Sequence, residues 1–197
     1  MERLNKYLAL AGVCSRRKAD QEILKGRVSV NDEIITTLGY QVKNNDIVKY
    51  LNKPVVLMKK EYYLLNKPRG VITTCSDELG RKNVIDIFKE AGITTRLFPA
   101  GRLDYDTAGL IIITNDGELS NIITHPRSEI AKEYLVRIDG IIPKNQVMVL
   151  NKKRYVVYDN IKYSFMKLNI LEVNKDKNTQ TLEIIVKEGK NHHIKNI

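Results

Sequence analysis

Reactive side chains crowd one stretch, Gly101-Arg102-Leu103-Asp104-Tyr105-Asp106-Thr107-Ala108-Gly109, directly ahead of the apolar run 110–113, LIII. Two carboxylates and a guanidinium stand there at the point where a strand should enter the core. An aspartate beside a buried strand usually serves as an N-cap or turn residue, and Asp106 followed by Thr107 fits that use. Asp104 fits it less well. Next to Arg102 in a short polar connection, its carboxylate would be partly desolvated and would need a cationic partner to stay ionised. A carboxylate so placed is a candidate nucleophile or base.

Other chemistries lack their signatures. The sequence holds no GxxxxGK[ST], GxGxxG, GxSxG or HExxH, so a nucleotide hydrolase, dehydrogenase, lipase-type esterase or zinc protease is not indicated. His192 and His193 are adjacent and would point to opposite sides of an extended segment, which disfavours a shared metal. They are expected as surface histidines, and no metal site is expected. Cys14 and Cys75 lie far apart with no CxxC or Cys/His spacing, so both should be plain thiols.

The secondary structure around Asp104 follows from the surrounding pattern. Residues 62–74, "YLLNKPRGVITT" after Tyr62, read as a strand, a Pro-Gly loop and a second strand, and "NVIDIFKEAG" as a short helix closed by Gly92. "AGLIIITNDG" is a buried strand stopped by an Asn-Asp-Gly turn, and "GELSNIIT" is helical. "KEYLVRIDG" is a strand with Tyr134 and Val136 on one face, and "TLEIIVKEG" a late strand.

Ahead of these lies a different pattern. Leu4, Tyr7, Leu8 and Ala11 form one helical stripe, and Gly12 sits where a left-handed cap is wanted. Ser15 can cap a second helix, with Ala19, Ile23 and Leu24 on its apolar face and Gly26 at its end. Val28 and Val30 alternate before the turn signal Asn31-Asp32, and Ile34, Val42, Ile47 and Val48 continue a short strand pattern. Two helices should pack on a small hairpin sheet. Arg16, Arg17 and Lys18 crowd the start of the second helix, and Lys25 and Arg27 flank its end. With the free N–H groups of a helix N-terminus, Ser15 to Lys18 could clamp a phosphate, although by themselves these residues fit a solvated charge run somewhat better.

Composition agrees with both halves. At 197 residues, 43% hydrophobic and 28% charged, the chain can bury one medium core or two small ones. Its net charge of +10 favours a polyanionic partner. Residues 1–60 hold twelve Lys/Arg against six Asp/Glu, so +6 of that charge lies in less than a third of the chain. No apolar run approaches the roughly 20 residues of a membrane helix, and the charged N-terminus lacks a signal-peptide core, so a cytoplasmic protein is expected.

Two resemblances sharpen these readings. Residues 1–50 resemble the small RNA-binding domain named after the fourth small-subunit ribosomal protein, the S-four domain. That likeness implies that Arg3, Lys6, Arg16, Arg17, Lys18, Lys25 and Arg27 face structured RNA, with Asp32 standing at the usual glycine of the turn. "NKPRG", "GRLDYDTAGLIIITNDG", "KEYLV" and "EGKNHHIK" occur in the order and spacing of the RsuA/RluB family of ribosomal RNA pseudouridine synthases. The nearest-looking branch is the large-subunit type.

The expected fold class is α+β. An S-four domain at 1–50 and a linker at 51–60 precede a catalytic domain at 61–197, with a mixed, largely antiparallel sheet flanked by helices. The resemblance implies isomerisation of uridine to pseudouridine in ribosomal RNA, 23S by branch, with Asp104 as the catalytic aspartate, Tyr134 against the target uracil and Arg102 in the same loop. The reaction breaks N1–C1′, rotates the base and rejoins it through C5, so it needs no cofactor. One carboxylate could attack sugar or ring, or take a sugar proton, and the target must first leave its stack.

The family's last motif resembles EGRNRQVRRM, where this chain has Lys190, His192, Lys195 and Asn196 for its arginines. Lys195 falls where the family places the arginine that pairs with the aspartate, and lysine lacks that residue's forked donor geometry. The competing reading is therefore a catalytically weakened relative that binds ribosomal RNA as an assembly factor. A monomer is expected.

Overall fold

Leu4 and Leu8, one helical turn apart, are both buried and anchor helix α1 (Leu4–Leu10), which follows a two-residue strand β1 (Glu2–Arg3). The chain leaves α1 through Gly12, at φ 75°, and Met58 Sδ occupies the space any Cβ there would need. Ser15 Oγ accepts the Lys18 N–H and starts α2 (Arg16–Leu24), as its position predicts. The buried face of α2 departs from expectation in one place. Ala19 and Ile23 are buried, but Leu24 is 59% exposed and Glu22 takes the inward position instead.

The hairpin β2 (Val28–Val30) and β3 (Glu33–Ile34) turns through Asn31 and Asp32, both in the left-handed region (φ 52° and 68°). Such a two-residue turn matches strand twist and favours Asn, Asp or Gly. β4 (Gln41–Val42) pairs with β1, β5 (Val48–Tyr50) with β2, and β6 (Lys53–Pro54) with β5. Part of stretch 51–60 is thus strand. Ile34 and Ile47 are exposed, whereas Val28, Val30, Val42 and Val48 join Leu4, Leu8, Ala19 and Ile23 in one core.

The structure is a computed structural model that describes residues 1–190 and 192–197. The chain divides into two compact units, Met1–Asn121 and Ile122–Ile197, so the boundary falls inside the segment expected as one catalytic domain. Strand β7 (Tyr62–Lys67) is followed by a loop that makes one isolated bridge, Ile72 to Asn83, and not the second strand its Val-Ile-Thr-Thr sequence suggests. The physical reason is that Val71 and Thr73 are buried inside the loop, where Thr73 is committed to another segment.

Asn83 closes a reciprocal capping box with Asp86 at the head of α3 (Val84–Glu90). β8 (Phe98–Ala100) and β7 flank β9 (Gly109–Thr114) in an antiparallel sheet, and Val84, Phe88, Leu97, Ile111 and Ile113 form its core. β9 is buried on one face only, since Leu110 is exposed. Helix α4 (Gly117–Thr124) follows.

In the second unit, β10 (Lys132–Asp139) pairs with β14 (Thr179–Val186), which pairs with β13 (Lys167–Asn174), all antiparallel. Strict alternation places Tyr134, Val136 and Ile138 toward the core of Leu168, Leu182, Ile184 and Val186. Helix α5 (Lys144–Lys153) and the hairpin β11 (Tyr155–Tyr158) and β12 (Ile161–Ser164) complete the unit. Among the described residues no helix is long and apolar enough to cross a membrane.

Candidate active site and nucleic-acid interface

The loop ahead of β9 is held by hydrogen bonds within itself and from the loop after β7. Thr107 N–H donates to Asp104 O at 3.0 Å, closing a tight turn over residues 104–107. Gly70 N–H donates to Tyr105 O at 2.8 Å. Thr73 works from the other side: its hydroxyl donates to Leu103 O at 2.7 Å and accepts the Leu103 N–H at 3.2 Å. Gly101, at φ 100°, lets the chain enter this turn from β8. Asp104 therefore sits on a backbone fixed on both flanks.

Lys67, at the end of β7, supplies the centre of this arrangement. Its side chain is fully buried at 0% exposure, and Nζ donates to Val71 O at 2.8 Å, Pro68 O at 3.0 Å and Tyr105 O at 3.5 Å. Burial pushes its pKa down, and the nearby negative charges of Asp106 and Asp104 oppose that push. One buried ammonium thus ties the two motif loops together and sets a positive charge beside both carboxylates. Asp104 itself is half-buried. Arg102, expected as its cationic neighbour, is exposed; the buried cation comes from the other motif. Lys67 was signalled in the sequence only as part of "NKPRG".

The Thr-Asn-Asp-Gly turn is a structural clamp on the same sheet. Thr114 Oγ1 donates to Glu61 O at 2.6 Å, and Asn115 imitates a strand neighbour, accepting the Glu61 N–H and donating to Lys59 O. Asp116, 4% exposed, caps α4 through the N–H groups of Glu118 and Leu119 and receives Tyr62 OH and Lys60 Nζ, each at 2.9 Å. Burial alone would raise its pKa. The hydrogen bonds from Lys60, Tyr62 and the backbone outweigh burial and bring it down to about 2.

The remaining expected site residues lie in the second unit. Tyr134 is half-buried on the core side of β10, opposite Ile184. Lys195 is exposed in the turns that follow β14. The histidines depart from the expectation of surface positions. His192 is exposed, but His193 is buried: Nδ1 accepts the Lys190 N–H, Nε2 lies 2.8 Å from Ser164 O, and the ring meets Tyr163 edge-on. This pairing fixes the tautomer with hydrogen on Nε2. Glu188 accepts the Ser164 N–H and Lys190 Nζ donates to Lys162 O, so this motif fastens itself along β12.

At the N-terminal end, Arg3, Ser15, Arg16, Arg17, Lys18, Lys25 and Arg27 are all exposed. Lys6 is half-buried and held between Glu2 at 2.7 Å and Glu118 at 3.1 Å, which raises its pKa, first through the Glu2 hydrogen bond. Asp32, at the turn, pairs with Lys49 at 2.5 Å. Sequence reasoning missed Glu22, which lies beneath three of the cations; no periodicity announces a carboxylate at an inward helical position. Among the described residues no group of three or more His, Cys, Asp or Glu could hold a metal.

An antiparallel sheet carrying a locked aspartate turn, preceded in the chain by a basic two-helix domain, is the architecture of an enzyme directed at a polyanion. The chain belongs to the RNA pseudouridylate synthase family, whose pattern matches residues 61–197, and residues 2–48 match the S4 domain. It is 42% identical to the ribosomal large subunit pseudouridine synthase B of Bacillus subtilis, over 99% of this chain and 78% of that one. An uncharacterized RNA pseudouridine synthase of Aquifex aeolicus is also 42% identical, over 98% and 76%. Among solved structures, a crystal structure of a pseudouridylate synthase is similar with a TM-score of 0.59 and 25% identity, over all of this chain and 81% of that one.

Proposed function

We propose that this pseudouridine synthase acts on ribosomal RNA, with a uridine of the large-subunit 23S molecule as its target and Asp104 as the reacting carboxylate. The observation that supports this reading is the fixed turn at Asp104: a half-buried carboxylate beside a fully buried ammonium, on a backbone stapled from both sides. Preorganised charge of this kind costs no rearrangement when the reaction occurs. The large-subunit name of the Bacillus relative supports the choice of RNA.

Uridine isomerisation exchanges an N1–C1′ bond for a C5–C1′ bond and releases the C5 proton. An ionised carboxylate can serve as nucleophile or base in that exchange. The ring of Tyr134 is assigned to the uracil, Lys195 to holding the carboxylate's charge, and Arg102 to the same loop on the RNA side. Arg3, Lys6, Ser15, Arg16, Arg17, Lys18, Lys25 and Arg27 supply the backbone grip that holds the substrate while its target nucleotide everts.

The test is Asp104→Asn, with RNA affinity and product measured on the same preparation. Affinity should stay within several-fold of the parent while release of the C5 hydrogen from labelled uridine disappears. Substantial turnover would remove Asp104 from its role. Pseudouridine mapping on ribosomal RNA from cells with and without the gene identifies the target, and no lost site would favour the assembly-factor reading.

A further inference from the structure

Glu22 is the carboxylate that the apolar pattern of α2 does not explain. It is 1% exposed, yet four donors surround it: Arg27 Nη1 at 2.8 Å and Tyr50 OH at 2.9 Å on Oε2, with Lys18 Nζ and Lys25 Nζ each 3.6 Å from Oε1. Oε1 is buried with no hydrogen-bond partner, so the two ammoniums stand close without being bound by it. Lys18, Lys25 and Arg27 remain about half exposed, their outer donors facing solvent. Hydrogen bonds from Arg27 and Tyr50 hold the Glu22 carboxyl down to about 2, so it is charged at any working pH.

Three cations packed this closely would repel one another without a counter-charge beneath them. With one, they keep a local net charge of about +2 and a restricted set of positions. A long surface lysine or arginine otherwise pays rotamer entropy to meet a phosphate, and fixing it beforehand removes part of that cost.

We propose that Glu22 is a positioning residue for RNA binding, setting Lys18, Lys25 and Arg27 as one cluster that receives adjacent phosphates of the RNA backbone. The inference rests on the reading of this domain as the RNA grip. It assigns a function to a residue that itself carries the charge opposite to the grip's.

The sign of one substitution tests it. Glu22→Gln raises the formal net charge from +10 by one, so charge alone predicts tighter RNA binding. Positioning predicts the reverse. With the full chain and purified 23S ribosomal RNA as probe, Glu22→Gln should weaken binding about five- to tenfold, and the slope of log affinity against log salt should become shallower by about one unit. Equal or tighter binding by the folded variant overturns the proposal.

Should Glu22→Gln fail to fold, Arg27→Lys keeps the charge but loses the forked donor, and unchanged affinity there overturns the inference. Replacing Lys18, Lys25 and Arg27 together with alanine separates the two levels. If that variant binds like the parent, the RNA-grip reading falls and Glu22's role with it; if it binds weakly while Glu22→Gln does not, only the Glu22 inference falls.

Discussion

Replacing Lys67 with methionine separates folding from catalysis, because the two effects differ in size. Lys67→Met keeps the length and much of the volume of a side chain that is fully buried, and removes its charge and donors. Two short bonds are lost, to Val71 O at 2.8 Å and Pro68 O at 3.0 Å. From a charged donor each is worth about 1.5–3 kcal/mol. Against that, methionine escapes the several kcal/mol needed to desolvate an ammonium. The two nearly offset, so unfolding stability should change by no more than about 2 kcal/mol in either direction.

The turn at Asp104 has no such offset. Without the ammonium that reaches toward Tyr105 O and the charge beside Asp104 and Asp106, the turn loses one of its tethers and the buried positive charge beneath it. A displacement of about 1 Å costs on the order of a hundredfold in rate, or about 2.7 kcal/mol of barrier. Single-turnover release of the C5 hydrogen from labelled RNA, with urea unfolding on the same preparation, measures both quantities. A folded Lys67→Met enzyme with kcat within threefold of the parent would refute the argument that this buried lysine sets the site.

The Asp116 and Glu22 carboxyls, both held at about 2 when folded, should contribute stability that is complete above about pH 5 and declines as pH falls toward 2, since the unfolded chain then binds more protons. Urea midpoints measured across that range should fall steadily, and a flat profile would contradict the assigned partners. Asp116→Asn should cost about 1–2 kcal/mol through the weakened α4 cap and the lost Lys60 pair, read as a lower melting temperature. Alanine at Arg16, Arg17 and Lys18 together should weaken RNA binding and flatten its salt dependence; an unchanged slope would remove them from the RNA face.

Local signals in the chain announce most of the scaffold. Ser15 and Asn83 cap helices where short-range hydrogen bonding demands it, Asn31-Asp32 turns a hairpin, and the alternation of "KEYLV" puts Tyr134 inward. Each depends on neighbours a few residues away, which is the range over which sequence patterns speak. The failures are long-range. "VITT" has the composition of a strand, but Thr73 is engaged with Leu103, thirty residues on. Leu24 fits an apolar helical face, yet the position that turns inward belongs to Glu22, where Tyr50 from β5 joins its near neighbours Lys18, Lys25 and Arg27. His193 looked like a surface residue until the hairpin of residues 155–164 came to lie against it.

Spacing, charge and motif order are properties of the chain, and they alone single out the basic N-terminal helices and Asp104 as the carboxylate to examine. The tertiary structure decided which cation is buried beneath that turn. Arg102 is adjacent in the chain but exposed, while Lys67, nearly forty residues earlier, is carried under the turn by the pairing of β7 with β9. Only folding sets the distances between charges and the water excluded around them, and those two quantities fix what a carboxylate can do.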